Sequence, residues 1–494
     1  MRGSRAKPVT AMDRDRPTAG SNTLRRALGV RDAVAMSVAG MGPTLAMNLN
    51  PQEPAKHVGR AIPLVFLASM LLLLLVAWCF AHLSRRHPNA GSAYGFVGAV
   101  LGPRAGLFAG WVLLGTYLAF ALCSMAGFGL FRSDVATRLH VLDHPSSLTF
   151  TVFGALAIAA ICVTSAKRAT DALTVFEGLS ILAMVGLSCA ILWQVATGHG
   201  PAGDPPIVDL FVPPAGTGPS EIALALSFGF LSFAGFEEAA TLAEEVRDPD
   251  TTIPRVLLGS ILGAGALFVL TTTAQVLGFG ADAAGLARFT TSKSLLADLA
   301  TRSFGPHWGD VMDVLAVFSA LGCGLASVLA ASRILWAIAR DLAPASALAR
   351  VSTGGTPLVA SLAIVVLALA GYLGMRLAFD ARGSDAFFWG STLGALGLLV
   401  AYLAVVASAA VSSMRDVRDG REGGRPSRVA IPLLAGAAIA YTLAVNLAPT
   451  QPGAYAILPW IVLAWCAMPV LLVAVRPDLA ARIGAGSGGA TGAP

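Results

Sequence analysis

Nine stretches of this chain run without a charged side chain for about the 20 residues that a helix needs to cross a bilayer, and nothing constrains its fold more. They are Ala61–Ala81, Ala105–Phe131, Pro145–Ala166, Gly178–Gly198, Val256–Ala281, Val314–Ser332, Val351–Met375, Ala386–Met414 and Val429–Val475. The last is long enough for two spans, with Asn446 to Gly453, including Pro449 and Pro452, as the turn between them. Ten membrane helices follow from these runs.

Two further segments are apolar but interrupted. Ala33–Gln52 holds Gly40, Gly42 and Pro43 mid-run, followed by Asn48 and Asn50. Ile222–Phe236 contains Ser232 and Gly235 and ends at Glu237 and Glu238. Counting both gives twelve helices, with the interrupted ones at positions one and six. Two broken spans at matching positions of two halves point to a transporter site at the repeat interface. The implied architecture is an all-α membrane protein with a five-plus-five inverted repeat like that of the leucine transporter. Helices 1–5 lie in residues 29–198, helices 6–10 in 220–414, and helices 11 and 12 in 429–475. An odd number of helices per repeat forces the halves into opposite orientations. Gly-rich membrane helices are common, so it is the pair of breaks, at this interval, that carries the argument.

The composition excludes most other classes. Of 494 residues, 55% are hydrophobic and only 13% charged, and mean hydropathy is +0.72. Soluble domains carry roughly 25% charge, so a soluble enzyme, a disordered chain and a fibrous repeat are all ruled out. The six cysteines fall inside apolar stretches without paired spacing and read as small buried hydrophobes, not as a disulfide or zinc framework. With the N-terminus cytoplasmic, 25 of the 34 Lys and Arg residues fall on inside segments, and the loop 197–220 has none. Both termini are therefore expected in the cytoplasm, and the net charge of +6 needs no nucleic-acid partner. Residues 1–28 and 476–494 read as polar tails without a signal-peptide core.

The chain has no P-loop, no His-Glu-x-x-His and no Gly-x-Ser-x-Gly elbow. His140 and His144 flank Asp143 at a spacing that can hold a metal, but an ordinary external loop is the simpler reading. No cofactor and no metal are expected.

Three motifs go further. The first is Pro88-Asn89-Ala90-Gly91-Ser92-Ala93-Tyr94, with Leu101-Gly102-Pro103-Arg104 and Ala109-Gly110-Trp111 after it. The second is Phe233-Ala234-Gly235-Phe236-Glu237, followed by Glu244-Glu245-Val246-Arg247-Asp248-Pro249 and Thr252-Ile253-Pro254-Arg255. The third runs from Ala331 to Asp341. Each has a structural reading. Gly98, Gly102, Gly106 and Gly110 recur every four residues, as a small face at the start of helix 3 would require. Pro103 suits the first turn of that helix, and helix 7 is expected to start near Pro254.

In order and spacing across about residues 29–475, the three motifs resemble those of the amino acid–polyamine–organocation permeases, bacterial amino-acid transporters of the five-plus-five fold. The resemblance implies a multi-pass protein of the bacterial plasma membrane that moves a small amino acid or amine. It also implies that Gly40-Met41-Gly42 offers backbone amides to the substrate carboxylate, and that Val38, Leu231 and Ala234 offer carbonyls to its ammonium. Phe233, Gly235 and Phe236 complete the second broken turn. Met41 stands where the family has a small or hydroxylated residue, and Pro43 has no N–H to give. Either the Thr44 hydroxyl replaces the lost donor or the substrate lacks an α-carboxylate.

Charges inside the bundle supply the coupling candidates. Glu177 lies six residues beyond Asp171, about 9 Å along a helix, at a depth where a carboxyl can carry a proton or serve as a structural group. Ser180 matches the position of a lysine that replaces sodium in many relatives, so that device is absent. A sodium site using Ser180 and hydroxyls such as Ser327 is the alternative to proton coupling. Glu237 matches the acidic residue that holds the unwound turn and gate. Glu238, about 100° further round a helix, reads as a solvated or snorkelling charge. Tyr94 matches a gate tyrosine near the cytoplasmic mouth, and an interfacial anchor is its plainer reading. The chain thus reads as a proton-coupled amino acid or amine transporter, not an enzyme. An exchanger, or a transporter-like sensor or membrane enzyme, is the alternative.

Overall fold

The computed structural model describes residues 28–87, 92–138, 146–164, 166–200, 206–243, 245–352, 356–420, 426–448 and 453–477. His140, Asp143 and His144, the 88–91 part of the first motif, Glu244 and almost all of both tails lie outside them. Among the described residues every regular element is helical, and the one strand-like contact is an isolated bridge between Leu28 and Val246.

The first interrupted segment forms α1 (Val30–Met41) and α2 (Pro43–Leu49), with α3 (Gln52–Val58) after it. Gly42 separates α1 from α2 in the left-handed region, at φ 51°, where a side chain is strained. Pro43 then opens α2 at a position where its missing N–H leaves no gap. The chain continues as α4 (Ile62–Arg86), α5 (Ser92–Leu101), α6 (Pro103–Arg138), α7 (Ser147–Cys162) and α8 (Ala166–Ala196). The second interrupted segment is α9 (Pro219–Phe233), a kink at Ala234 and Gly235, and a 3₁₀ turn over Phe236–Leu242. Then come α10 (Pro249–Phe279), the short pair α11 (Ala283–Thr291) and α12 (Leu295–Phe304), α13 (Pro306–Leu342), α14 (Leu358–Phe379), α15 (Gly383–Arg418), α16 (Pro426–Leu447) and α17 (Leu458–Val475).

Ten segments among the described residues are long and apolar enough to cross a membrane, so this is a multi-pass membrane protein. They are not the same ten as the charge-free runs. The run at 145–166 yields only the 16-residue α7, about 24 Å long and short of a hydrocarbon core of roughly 30 Å. The segment at Pro219–Leu242 takes its place, because its 3₁₀ turn extends α9 past the glycine.

Three local expectations are corrected. Helix α10 starts at Pro249 and carries Pro254 in its second turn, because Pro249 already fits the first helical position. The four regularly spaced glycines do not form one helix face. Gly102 turns the chain at φ 96°, so that Gly106 of α6 packs on Gly98 of α5 and Gly110 on the ring of Tyr94. Cys189 is exposed on α8, while Cys79, Cys123, Cys162 and Cys323 are buried and Cys466 is half-buried.

The core runs through α6, against which both α13 and α15 pack extensively. Helices α16 and α17 lie outside it with much of their surface exposed. Leu28, at the start of the described residues, is tied to the loop after the second break. Leu28 N–H donates to Glu245 O and Leu28 O accepts from Arg247 N–H.

Candidate functional site

The two breaks meet face to face. Gly235, at φ 107°, lies so close to Gly40 that a Cβ there would land on the Gly40 carbonyl and Cα. Ser37 Oγ donates to Phe236 O at 2.9 Å, tying α1 to the turn that follows the second break. A Cβ on Gly40 would in turn run into the carboxylate of Glu238. Only glycine allows backbone to approach backbone at this distance.

Helix α13 completes the crossing. Cys323 Sγ donates to Gly40 O at 3.2 Å. Ser319 Oγ accepts from Leu45 N–H, one of the free amides at the start of α2, and donates to Glu177 Oε2, both at 3.2 Å. Thr44 Oγ1 pairs with Ser180 Oγ of α8. Beside the crossing is a small cavity of about 30 Å³, lined by Gly40, Met41, Leu45, Ala46, Asn50, Phe120, Cys123, Ser124, Leu231, Ala234, Cys323, Phe387 and Ser391. That is about one water's share of liquid volume, so admitting an amino acid requires the surrounding helices to separate.

Of the substrate-site residues expected from sequence, Gly40, Met41, Leu231 and Ala234 line this cavity. Gly42, Thr44 and Gly235 shape the breaks beside it. Val38 instead lines an outward groove with Val34 and Ile181. Phe233 packs edge-on against Phe268, and Phe236 packs against Phe80 and Tyr402. The lining from α6, α13 and α15, above all Phe120, Ser124, Cys323, Phe387 and Ser391, was missed, because no local break or charge marks it in the sequence.

The carboxylates divide sharply. Glu237 is 1% exposed and collects three donors: Tyr402 Oη at 2.8 Å, Tyr117 Oη at 3.2 Å and Gly235 N–H at 3.2 Å. It therefore ties α6 and α15 to the second break. Glu238 is fully buried, which corrects its reading as a solvated charge. After Gly235 the chain follows a 3₁₀ path with both faces packed, so the angular argument from an α-helix did not apply. Its Oε1 accepts from Ser327 Oγ at 3.3 Å, and its Oε2 has no partner. Glu177, 2% exposed, accepts from Ser319, and its Oε1 is likewise unpartnered. Ser180 and Ser327 thus bond to different groups, Thr44 and Glu238. Tyr94 Oη donates to Asp341 Oδ2 at 2.5 Å, linking α5 to the end of α13. Elsewhere, Arg333 pairs with Glu245 in the interior, and Arg86 pairs with Asp416.

Apolar spanning helices thus surround a crossing of two broken ones, the architecture of a multi-pass membrane protein. The model of the amino acid permease family matches residues 33–474, and the chain belongs to that family. It is 27% identical over 363 residues to the branched-chain amino acid permease BcaP of Lactococcus lactis subsp. cremoris, covering 70% of this chain and 75% of that protein. Identity to the protein of the same name in Bacillus subtilis is 24% over 369 residues, covering 70% and 74%. An uncharacterized transporter of Mycobacterium tuberculosis is 30% identical over 330 residues, covering 64% and 67%.

Proposed function

We propose that the protein takes up an amino acid with an uncharged, apolar side chain by alternating access, coupled to protons, with the crossing of the two breaks as its substrate site. The carrying observation is the cavity lining, in which no charged side chain appears and Met41, Leu45, Phe120, Leu231 and Phe387 supply apolar surface. Backbone groups of the breaks are left to meet the carboxylate and ammonium. The branched-chain names of two relatives fit such a pocket. On this reading α1 with α2, and α7, are spans too, giving twelve helices in a five-plus-five inverted repeat. The membrane is the bacterial plasma membrane and both termini are cytoplasmic. The bundle of α1–α2, α4, α9 and α10 moves against α6, α7, α13 and α14, and the Tyr117–Glu237–Tyr402 contact closes the crossing. Glu177 carries the proton: it is buried and has a single donor.

Counterflow in proteoliposomes tests this. Leucine, isoleucine and valine should exchange, while arginine and glutamate should not, and outside acidification should drive leucine uphill. Glu177→Gln should abolish uphill uptake and keep exchange. Preferred exchange of a charged amino acid would overturn the substrate assignment. Uphill uptake by Glu177→Gln would move the proton elsewhere.

A further inference from the structure

We propose that Glu238 is a second proton site, joined to Glu177 along one face of α13, and that its protonation controls the crossing at which substrate binds. The inference rests on the transport reading above for its link to substrate, but not for the existence of the site.

Ser319, Cys323 and Ser327 follow at intervals of four and so form one stripe on α13, about 12 Å long. Each bonds to a different partner. Ser319 donates to Glu177, Cys323 to the carbonyl of Gly40, and Ser327 to Glu238. The stripe therefore joins two buried carboxylates through the backbone of the first break. Both carboxylates leave one oxygen without a hydrogen-bond partner, Glu177 Oε1 beside Gly322 and Glu238 Oε2 beside Gly40.

An ionised carboxylate in such a place is costly, and a proton or a small cation must cancel its charge. The surroundings favour the proton. Hard cations take several oxygen ligands, and the one side-chain hydroxyl bonded to Glu238, that of Ser327, turns its proton and not its lone pairs toward the carboxylate. The groups facing Glu238 are Glu237 on its own turn, Tyr117 from α6, Tyr402 from α15, and Ser327, Cys323 and Arg333 from α13. Arg333 is engaged by Glu245. Facing Glu177 are Ser319 and Cys323 from α13, with the Leu45 amide behind Ser319. Glu238 thus has a like charge next to it and Glu177 does not. Protonated, Glu238 packs against Gly40 as a neutral group. When its proton leaves to water, two adjacent carboxylates press on the Gly40–Gly235 contact, and only a crossing opened to water relieves them.

Infrared difference spectroscopy of the full-length protein in liposomes, between acid and alkaline buffer, reads protonated carboxyls directly. Glu177→Gln and Glu238→Gln should each remove a different carbonyl band. Because deprotonation opens the crossing that leucine must enter, counterflow across the same pH range should show apparent affinity rising by up to about tenfold per unit increase in pH in the wild type. That dependence should persist in Glu177→Gln and flatten in Glu238→Gln. Unchanged bands in Glu238→Gln overturn the site. Bands that change while the affinity profile does not overturn the coupling. If the wild type exchanges no amino acid, the transport reading and the coupling fail together, and the bands still decide the site. Should Glu238→Gln not fold, Ser327→Ala keeps the carboxyl but removes its donor. It should shift only the Glu238 band, and an unshifted band overturns the site.

Discussion

The two breaks solve one problem with different materials. At the first, Gly42 turns the chain in the left-handed region, and the free groups on either side are satisfied from α13, by Ser319 and Cys323. At the second, Gly235 turns the chain and its amide is satisfied from within its own turn, by the carboxylate of Glu237. The first break thus has side chains against it, whereas the second has backbone. A Cβ on Gly42 would meet Cys323 Cβ at 2.9 Å and Sγ at 3.2 Å, but a Cβ on Gly235 would meet only the main chain of Gly40 among its nearest atoms. Side chains can be trimmed and main chain cannot. The first break is the adjustable one.

The largest effect should therefore come from Gly235→Ala. Left-handed strain costs roughly 1–3 kcal/mol for a residue with a side chain, and overpacking adds roughly 1–3 kcal/mol. Thermal stability should fall and leucine counterflow should be lost. Gly42→Ala should suffer similar strain, yet Cys323→Gly in the same chain should recover part of the lost stability, measured as the midpoint of thermal unfolding. No side-chain trimming should rescue Gly235→Ala. Wild-type counterflow in Gly235→Ala would mean that transport does not depend on the close approach of Gly235 to Gly40.

An intermediate effect is expected around Glu237. Hydrogen bonds to a charged group contribute roughly 1.5–3 kcal/mol, and shorter ones more. Tyr402→Phe should thus lower the unfolding midpoint more than Tyr117→Phe, since their donors stand at 2.8 and 3.2 Å from the carboxylate. Neither ring removes apolar packing, so substrate binding should survive in both. Equal midpoints for the two variants and the wild type would show that the second break does not depend on Glu237.

What could be read from the chain beforehand follows the same division. Gly40, Gly42, Pro43 and Gly235 announce themselves because glycine and proline have conformational chemistry of their own, so both breaks were legible to the residue. The apolar runs were legible because charge is scarce within a bilayer. Contacts between distant segments leave no such mark. Nothing local distinguishes Phe120, Ser391 or Cys323 from other residues of long apolar helices, and they were missed at the cavity. Glu238 was misread because a helical angle was applied beyond Gly235, where the chain is no longer α-helical. The glycine repeat from Gly98 to Gly110 was misread for a related reason, a turn at Gly102 inside an apparent helical period.

The smallest effect should come from the hydroxyls behind the first break, and it separates the two candidate coupling ions. Ser319→Ala removes both the partner of the Leu45 amide and the donor to Glu177. It should cost about 1 kcal/mol and alter the pH dependence of uptake. Ser180→Ala removes one bond, to the hydroxyl of Thr44, and should cost no more than that. The two hydroxyls answer each other, whereas Ser327, the other oxygen of the sodium alternative, donates to Glu238. Uptake by Ser180→Ala should therefore match the wild type in both its pH dependence and its indifference to sodium. A sodium requirement in the wild type that disappears in Ser180→Ala would transfer the coupling from Glu177 to the hydroxyls.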